Sequence, residues 1–111
     1  MTAEEYQKLA SRTLSKDLND VEMLIEGAMG ICSEAGEAMD IVKKYFAHGH
    51  ELDKEHLIKE LGDVCWYMAE LLNLLGYTFS DVFEANIQKL EKRYPNGFES
   101  AKSINREAGD I

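Results

Sequence analysis

Two acidic pairs, placed as mirror images, limit the folds open to this chain. Glu34 and Glu37 stand three residues apart, and so do Glu60 and Asp63. On a helix that spacing is close to one turn, which puts both members of a pair on one face. The pairs are equidistant from a midpoint between His48 and Gly49, inside a stretch (residues 47–52) where helical periodicity lapses. An antiparallel helical hairpin turning there sets Glu34 level with Asp63, and Glu37 level with Glu60. Four carboxylates so placed repel one another strongly unless a cation lies between them. Hard carboxylate oxygens suit Mg²⁺, with Mn²⁺ as the alternative, and magnesium completes its shell with waters and substrate phosphates. A di-iron bundle instead needs a Glu-x-x-His repeat, and none of His48, His50 or His56 has a Glu three positions earlier. The competing reading is an ordinary solvated helix face, with Lys43, Lys44 and Lys59 close by to balance the charge.

Around these pairs the pattern is helical. Thr2 with Glu5 is a capping box that opens a first helix over residues 2–14. Asn19 with Glu22 opens a second over 20–46, with Val21, Leu24, Ala28, Ile31, Ala35, Ala38, Val42 and Tyr45 predicted as its packed face. Gly27, Gly30 and Gly36 each weaken that helix by about 1 kcal/mol relative to Ala, so they point to close approach of a neighbouring helix or a ligand. Asp53 caps a third helix over 53–75, whose apolar stripe is Leu57, Leu61, Val64, Met68, Leu71 and Leu75, ended by Gly76. A fourth over 79–94 is predicted to bury Val82, Phe83, Ile87 and Leu90 and to stop before Pro95. Residues 99–111 are polar, with little period, and are expected to be weakly ordered or docked on a partner subunit. The whole chain, 1–111, reads as one all-α domain, a four-to-five-helix bundle.

Charge narrows the partners. A net charge of -9 argues against a nucleic-acid polymer, whose binding depends on neutralising phosphates. A small phosphorylated ligand stays open, because a bound divalent ion inverts the local charge. No apolar run approaches the roughly 18 residues of a membrane span, and the first residues lack a signal-peptide pattern, so a cytoplasmic protein without membrane contact is expected. Cys32 and Cys65 read as buried reduced thiols. They also fall at one level of the hairpin, which leaves a disulfide open.

Two further groups of residues bear on function. Asn86, Lys89 and Arg93 follow one another at steps of three and four along the fourth helix. They are either surface solubilisers or a polyphosphate grip, with Arg binding bidentate and Lys as a point charge. Trp66, three residues after Asp63, is either a core or interface aromatic or a contact for a nucleobase.

Together these residues resemble the MazG-like nucleoside triphosphate pyrophosphohydrolases, an all-α superfamily. The pattern is Glu34/Glu37 within Ser33-Glu34-Ala35-Gly36-Glu37, then Glu60/Asp63 within Lys59-Glu60-Leu61-Gly62-Asp63-Val64. It includes Tyr6-Gln7, Lys43-Lys44 and Asn86-x-x-Lys89, and it ends in Arg93-Tyr94-Pro95-Asn96-Gly97-Phe98. One position departs: many members carry a further Glu before the first pair, where this chain has Ser33. The resemblance implies cleavage of a (deoxy)nucleoside triphosphate between the α and β phosphates, giving a monophosphate and pyrophosphate, for nucleotide-pool house-cleaning. Glu34, Glu37, Glu60 and Asp63 would hold Mg²⁺, with Glu37 and Glu34 the catalytic carboxylates and Glu37 the first choice of base. Lys89 and Arg93 would hold pyrophosphate, and Asn86 a phosphate or sugar. Sibling specificities for dUTP, dCTP or phosphoribosyl-ATP are the near alternative, and a non-catalytic helical oligomer the distant one. Relatives assemble as dimers or tetramers. Apolar residues beyond a single stripe (Ile25, Ile31, Ile41, Ile58, Leu72, Leu74) agree with a homodimer or homotetramer that completes the core.

Overall fold

The computed structural model describes residues 1–111 as five α-helices and one 3-10 turn. Each of the four long helices starts at a side-chain cap. α1 (Ala3–Ala10) follows Thr2, whose hydroxyl accepts from the Glu5 N–H while the Glu5 carboxylate accepts from the Thr2 N–H. It passes into a 3-10 turn (Ser11–Thr13), so the predicted first helix is α-helical only as far as Ala10. Asn19 and Glu22 form the same reciprocal cap on α2 (Asp20–Ala47), and Thr78 and Asp81 on α4 (Phe79–Arg93). Asp53 caps α3 (Lys54–Leu75) by accepting from the His56 N–H. Such caps satisfy otherwise orphaned N–H groups, each contributing about 1 kcal/mol.

α2 and α3 form the antiparallel hairpin, and this pair makes the most extensive packing in the molecule. A Cβ at Gly30 would overlap the ring of Tyr67, and one at Gly27 would come within 2.6 Å of Leu71 Cδ2. Gly30 and Tyr67 are mirror positions about the His48–Gly49 midpoint, so the hairpin adopts the register read from the acidic pairs. Of the two explanations for the glycines, helix approach holds at Gly27 and Gly30, whereas Gly36 has nothing within 4 Å.

The core lies at the opposite end of α3. Ala69, Leu72 and Phe79 are buried there, with Tyr6, Ala10, Met68 and Val82 packed around them. Gln7, itself buried, ties α1 into this corner. Its Nε2 donates to Asn73 Oδ1 and to the Tyr77 carbonyl, both at 2.8 Å, and its Oε1 accepts from the Phe79 N–H at 3.1 Å.

Three expectations are corrected. Of the face predicted as packed on α2, Ala38 is buried but most of the rest is bare, with Val21 65% and Tyr45 53% exposed, while Gly27, Gly30 and Ile41 join Ala38 in facing inward. The small residues win because they let the helices approach most closely, leaving the bulkier side chains outside. On α4, Phe83 and Ile87 are likewise about half exposed. The cysteines are free and exposed, neither buried nor bridged. The tail, expected to be weakly ordered or docked on a partner subunit, forms α5 (Ser100–Ile104) and returns to α4 of its own chain through an ion pair between Asp110 and Arg93.

Candidate acidic metal site

The hairpin register delivers three of the four predicted carboxylates to one point. Glu34 from α2 and Glu60 and Asp63 from α3 each present an oxygen, and all three lie within 4.8 Å of one another. Partial burial, then the facing carboxylates of Glu60 and Asp63, push the Glu34 carboxyl above its usual range. The donors are all hard oxygens, a composition that fits magnesium or manganese.

Glu37 lies outside this cluster. It is exposed and borders an open cavity of about 270 Å³ with Asp40, Lys44, His50, Glu51 and His56. Residues three apart on a helix differ by about 60° in direction, so one can meet the facing helix while the other leans away. Its charge still contributes to the upward push on Glu34. Lys43 and Lys44 do not neutralise the cluster. Both pair with Asp40 at 2.9 Å and hold its carboxyl down to about 2. His56, for which no role was expected, places Nε2 2.9 Å from Glu60 Oε1. The signal was its position four residues before Glu60, one turn away on the same face.

Ser33, at the departing position, donates its hydroxyl to the Gly30 carbonyl at 3.1 Å. It borders a groove of about 530 Å³ with Leu18, Ile25, Glu26, Met29 and Tyr67, beside the acid cluster. Trp66 stands edge-on to Tyr67, centroids 5.0 Å apart, and its indole N–H donates to Thr13 Oγ1 at 2.7 Å. A carboxylate absent from the sequence reading lies deeper along α3. Glu70 is only 2% exposed and its Oε2 has no hydrogen-bond partner. Burial, then the charge of Glu26 on α2, raises its carboxyl. Its spacing of seven from Asp63, two turns along one face, was the available signal.

The cationic residues of α4 stand apart from the acids. α4 packs chiefly on α1. Asn86 and Lys89 are exposed, and Arg93 is engaged by Asp110. Within one chain, then, Glu34, Glu60 and Asp63 come together, and Asn86, Lys89 and Arg93 do not join them.

With this geometry in view, comparison with known proteins is specific. Residues 27–98, which hold both acidic pairs and Asn86, Lys89 and Arg93, match the MazG nucleotide pyrophosphohydrolase domain. The chain belongs to this family. It is also 34% identical over 114 residues to the Gene 37 protein of Mycobacterium phage L5, a match covering 96% of this chain and all of the phage protein. No solved structure matches it.

Proposed function

We propose that the protein is a Mg²⁺-dependent nucleoside triphosphate pyrophosphohydrolase that cleaves a (deoxy)nucleoside triphosphate between its α and β phosphates. The observation that carries this reading is the convergence of Glu34, Glu60 and Asp63 oxygens within 4.8 Å, inside the family-matched segment. These three would hold Mg²⁺ (or Mn²⁺), with Glu37 as a candidate fourth ligand or base one turn along. The ion, when bound, supplies charge neutralisation for the triphosphate and acidifies water. Beside it, Glu37 is free of ion pairs and open to solvent, so it can accept a proton from the attacking water. Asn86, Lys89 and Arg93 are the candidates for holding phosphate and sugar, with charge stabilisation carrying most of the rate. The groove bordered by Ser33 and Tyr67 is wide enough for a nucleoside, and Trp66 beside it is a candidate base contact.

The occupant proposed for the bare apolar faces is a second copy of the chain, as a dimer or tetramer. The single chain exposes 8399 Å², against about 6,200 Å² for a compact monomer of its mass. Its radius of gyration is 17.2 Å where about 13 Å is typical for this length. An excess of that size, rich in apolar side chains such as Val21, Met29 and Phe46, matches an obligate interface. No helix is long and apolar enough to cross a membrane, so a bilayer-spanning helix is not the alternative cover.

Incubation with a panel of NTPs and dNTPs plus Mg²⁺, with products resolved, tests the proposal. Monophosphate and pyrophosphate that disappear with Glu60→Gln support it. No turnover of any nucleotide would favour the non-catalytic oligomer. Turnover confined to one base or to a phosphoribosyl nucleotide would identify the sibling specificity.

A further inference from the structure

Positive charge is unevenly placed along the chain. Five of its 12 Lys and Arg residues, Lys89, Lys92, Arg93, Lys102 and Arg106, fall between position 89 and position 106. Four of these five, with Asn105, line a cleft of about 70 Å³ between the end of α4 and the tail, and no hydrophobic residue forms its wall. Asp110 and Glu107 complete the lining.

A single ion pair forms inside. Arg93 Nε and Nη2 donate at 2.7 Å to the two oxygens of Asp110, and both side chains are nearly buried, 9% and 12% exposed. Lys92, Lys102 and Arg106 have no ion-pair partner. Anchoring the tail needs only the Arg93–Asp110 pair. Crowding three further cations around it, with Glu107 as the one other carboxylate, leaves the cleft with an excess of positive charge and a cost in repulsion. Convergent Lys and Arg, a wholly polar wall and a guanidinium fork already bearing two oxygens form the chemistry of a phosphate site.

We propose that this cleft binds the terminal, multiply charged phosphates of a polyphosphate, and that Asp110 is an internal substitute which leaves Arg93 when the ligand enters. The proposal rests on the reading of Arg93 as a phosphate ligand. Lys102, Arg106 and Asp110 lie beyond the family-matched residues 27–98, so the tail adds both the extra cations and the competing anion.

Titration of inorganic pyrophosphate into the full-length protein, followed by calorimetry in EDTA, reads this cleft without metal at the acid cluster. Asp110→Asn is expected to bind pyrophosphate about tenfold more tightly than the wild type. Arg106→Ala in that background is expected to lose the gain, and Asp110→Glu, which keeps the carboxylate, to bind like the wild type. Equal affinity in wild type and Asp110→Asn, or a gain indifferent to Arg106→Ala, overturns the proposal. So does an equal gain for sulfate, which would reduce the cleft to a general anion patch. Should Asp110→Asn fail to fold, a chain ending at Gly109 makes the same comparison. A non-hydrolysable nucleoside triphosphate distinguishes the source. A matching gain supports the cleft as a seat for substrate phosphates, and a gain for pyrophosphate alone supports it as a product site. Turnover is assayed separately. A pyrophosphate gain without turnover keeps the cleft and removes the hydrolase reading, while turnover without the gain does the reverse.

Discussion

In the first half of α3, Glu60 and Asp63 confront Glu34 within 4.8 Å, with His56 beside Glu60. In the second half, Ala69 and Leu72 are closed over by Phe79 and Tyr6, and Gln7 ties the corner together with three hydrogen bonds. The helix is continuous, and both halves pack on α2. The first half gathers like charges that raise the free energy of the fold, and the second supplies the burial that offsets them. On the proposed function, stability and chemistry are thus separated along one helix, and each half is expected to be open to damage without the other.

The largest expected effect comes from the first half. Asp63→Asn or Glu60→Gln is expected to reduce nucleotide turnover about a thousandfold or more and to abolish any rise in melting temperature on adding Mg²⁺. The same variants are expected to melt no lower than the wild type without metal, since a like-charge contact is removed. A clear loss of metal-free stability would break the comparison, because the acids would then be structural.

Next comes the hairpin contact that sets the register for both halves. Gly30→Ala forces a methyl group into the Tyr67 ring, which lies edge-on to Trp66 and has to shift to make room. A stability loss of about 3 kcal/mol is expected from denaturant unfolding, with activity falling in parallel as Glu34 shifts against Asp63. Gln7→Ala acts on the second half alone. It orphans the buried Phe79 N–H and costs about 2 kcal/mol, with turnover per folded molecule unchanged. If Gln7→Ala lowers turnover as much as stability, the two halves are coupled and the separation is lost.

Much of this division was legible in the sequence, because caps and mirrored spacing are local signals. The capping boxes at Thr2 and Asn19 and the acidic register all follow from residues a few positions apart, and periodicity converts them to a hairpin. What periodicity does not encode is which of two apolar faces meets the neighbour within one chain. Val21 and Tyr45 share the predicted face with Ala38, but Gly27, Gly30 and Ile41 are the residues that turn inward beside it, and Val21 and Tyr45 stay exposed. The aim of Glu37 was illegible for a related reason: shared spacing fixes a helix face to about 60°, which is too coarse to place an oxygen. The Arg93–Asp110 pair spans 17 positions across a segment with no period, so nothing in the local pattern announced it.

The smallest expected effect belongs to Glu70, where the two halves of α3 meet. Its carboxyl is raised by burial and then by Glu26, so the folded protein holds the proton more tightly than the unfolded chain does. Between the ordinary carboxylate range and that raised value the folded state binds more protons, and stability therefore falls as pH rises. The contribution is fully present below the unfolded value and is lost as pH rises through the folded one. Glu70→Gln removes the titration and keeps the shape. It is expected to melt a few degrees above the wild type at pH 8, the gap closing as pH falls toward the ordinary range for glutamate. Adding Glu26→Gln should abolish part of that gap if Glu26 is the neighbour responsible. A Glu70→Gln variant less stable than the wild type at pH 8 would mean that the buried carboxylate is wanted in its charged form. Glu70 would then extend the acidic half of α3 and no longer mark its boundary with the core.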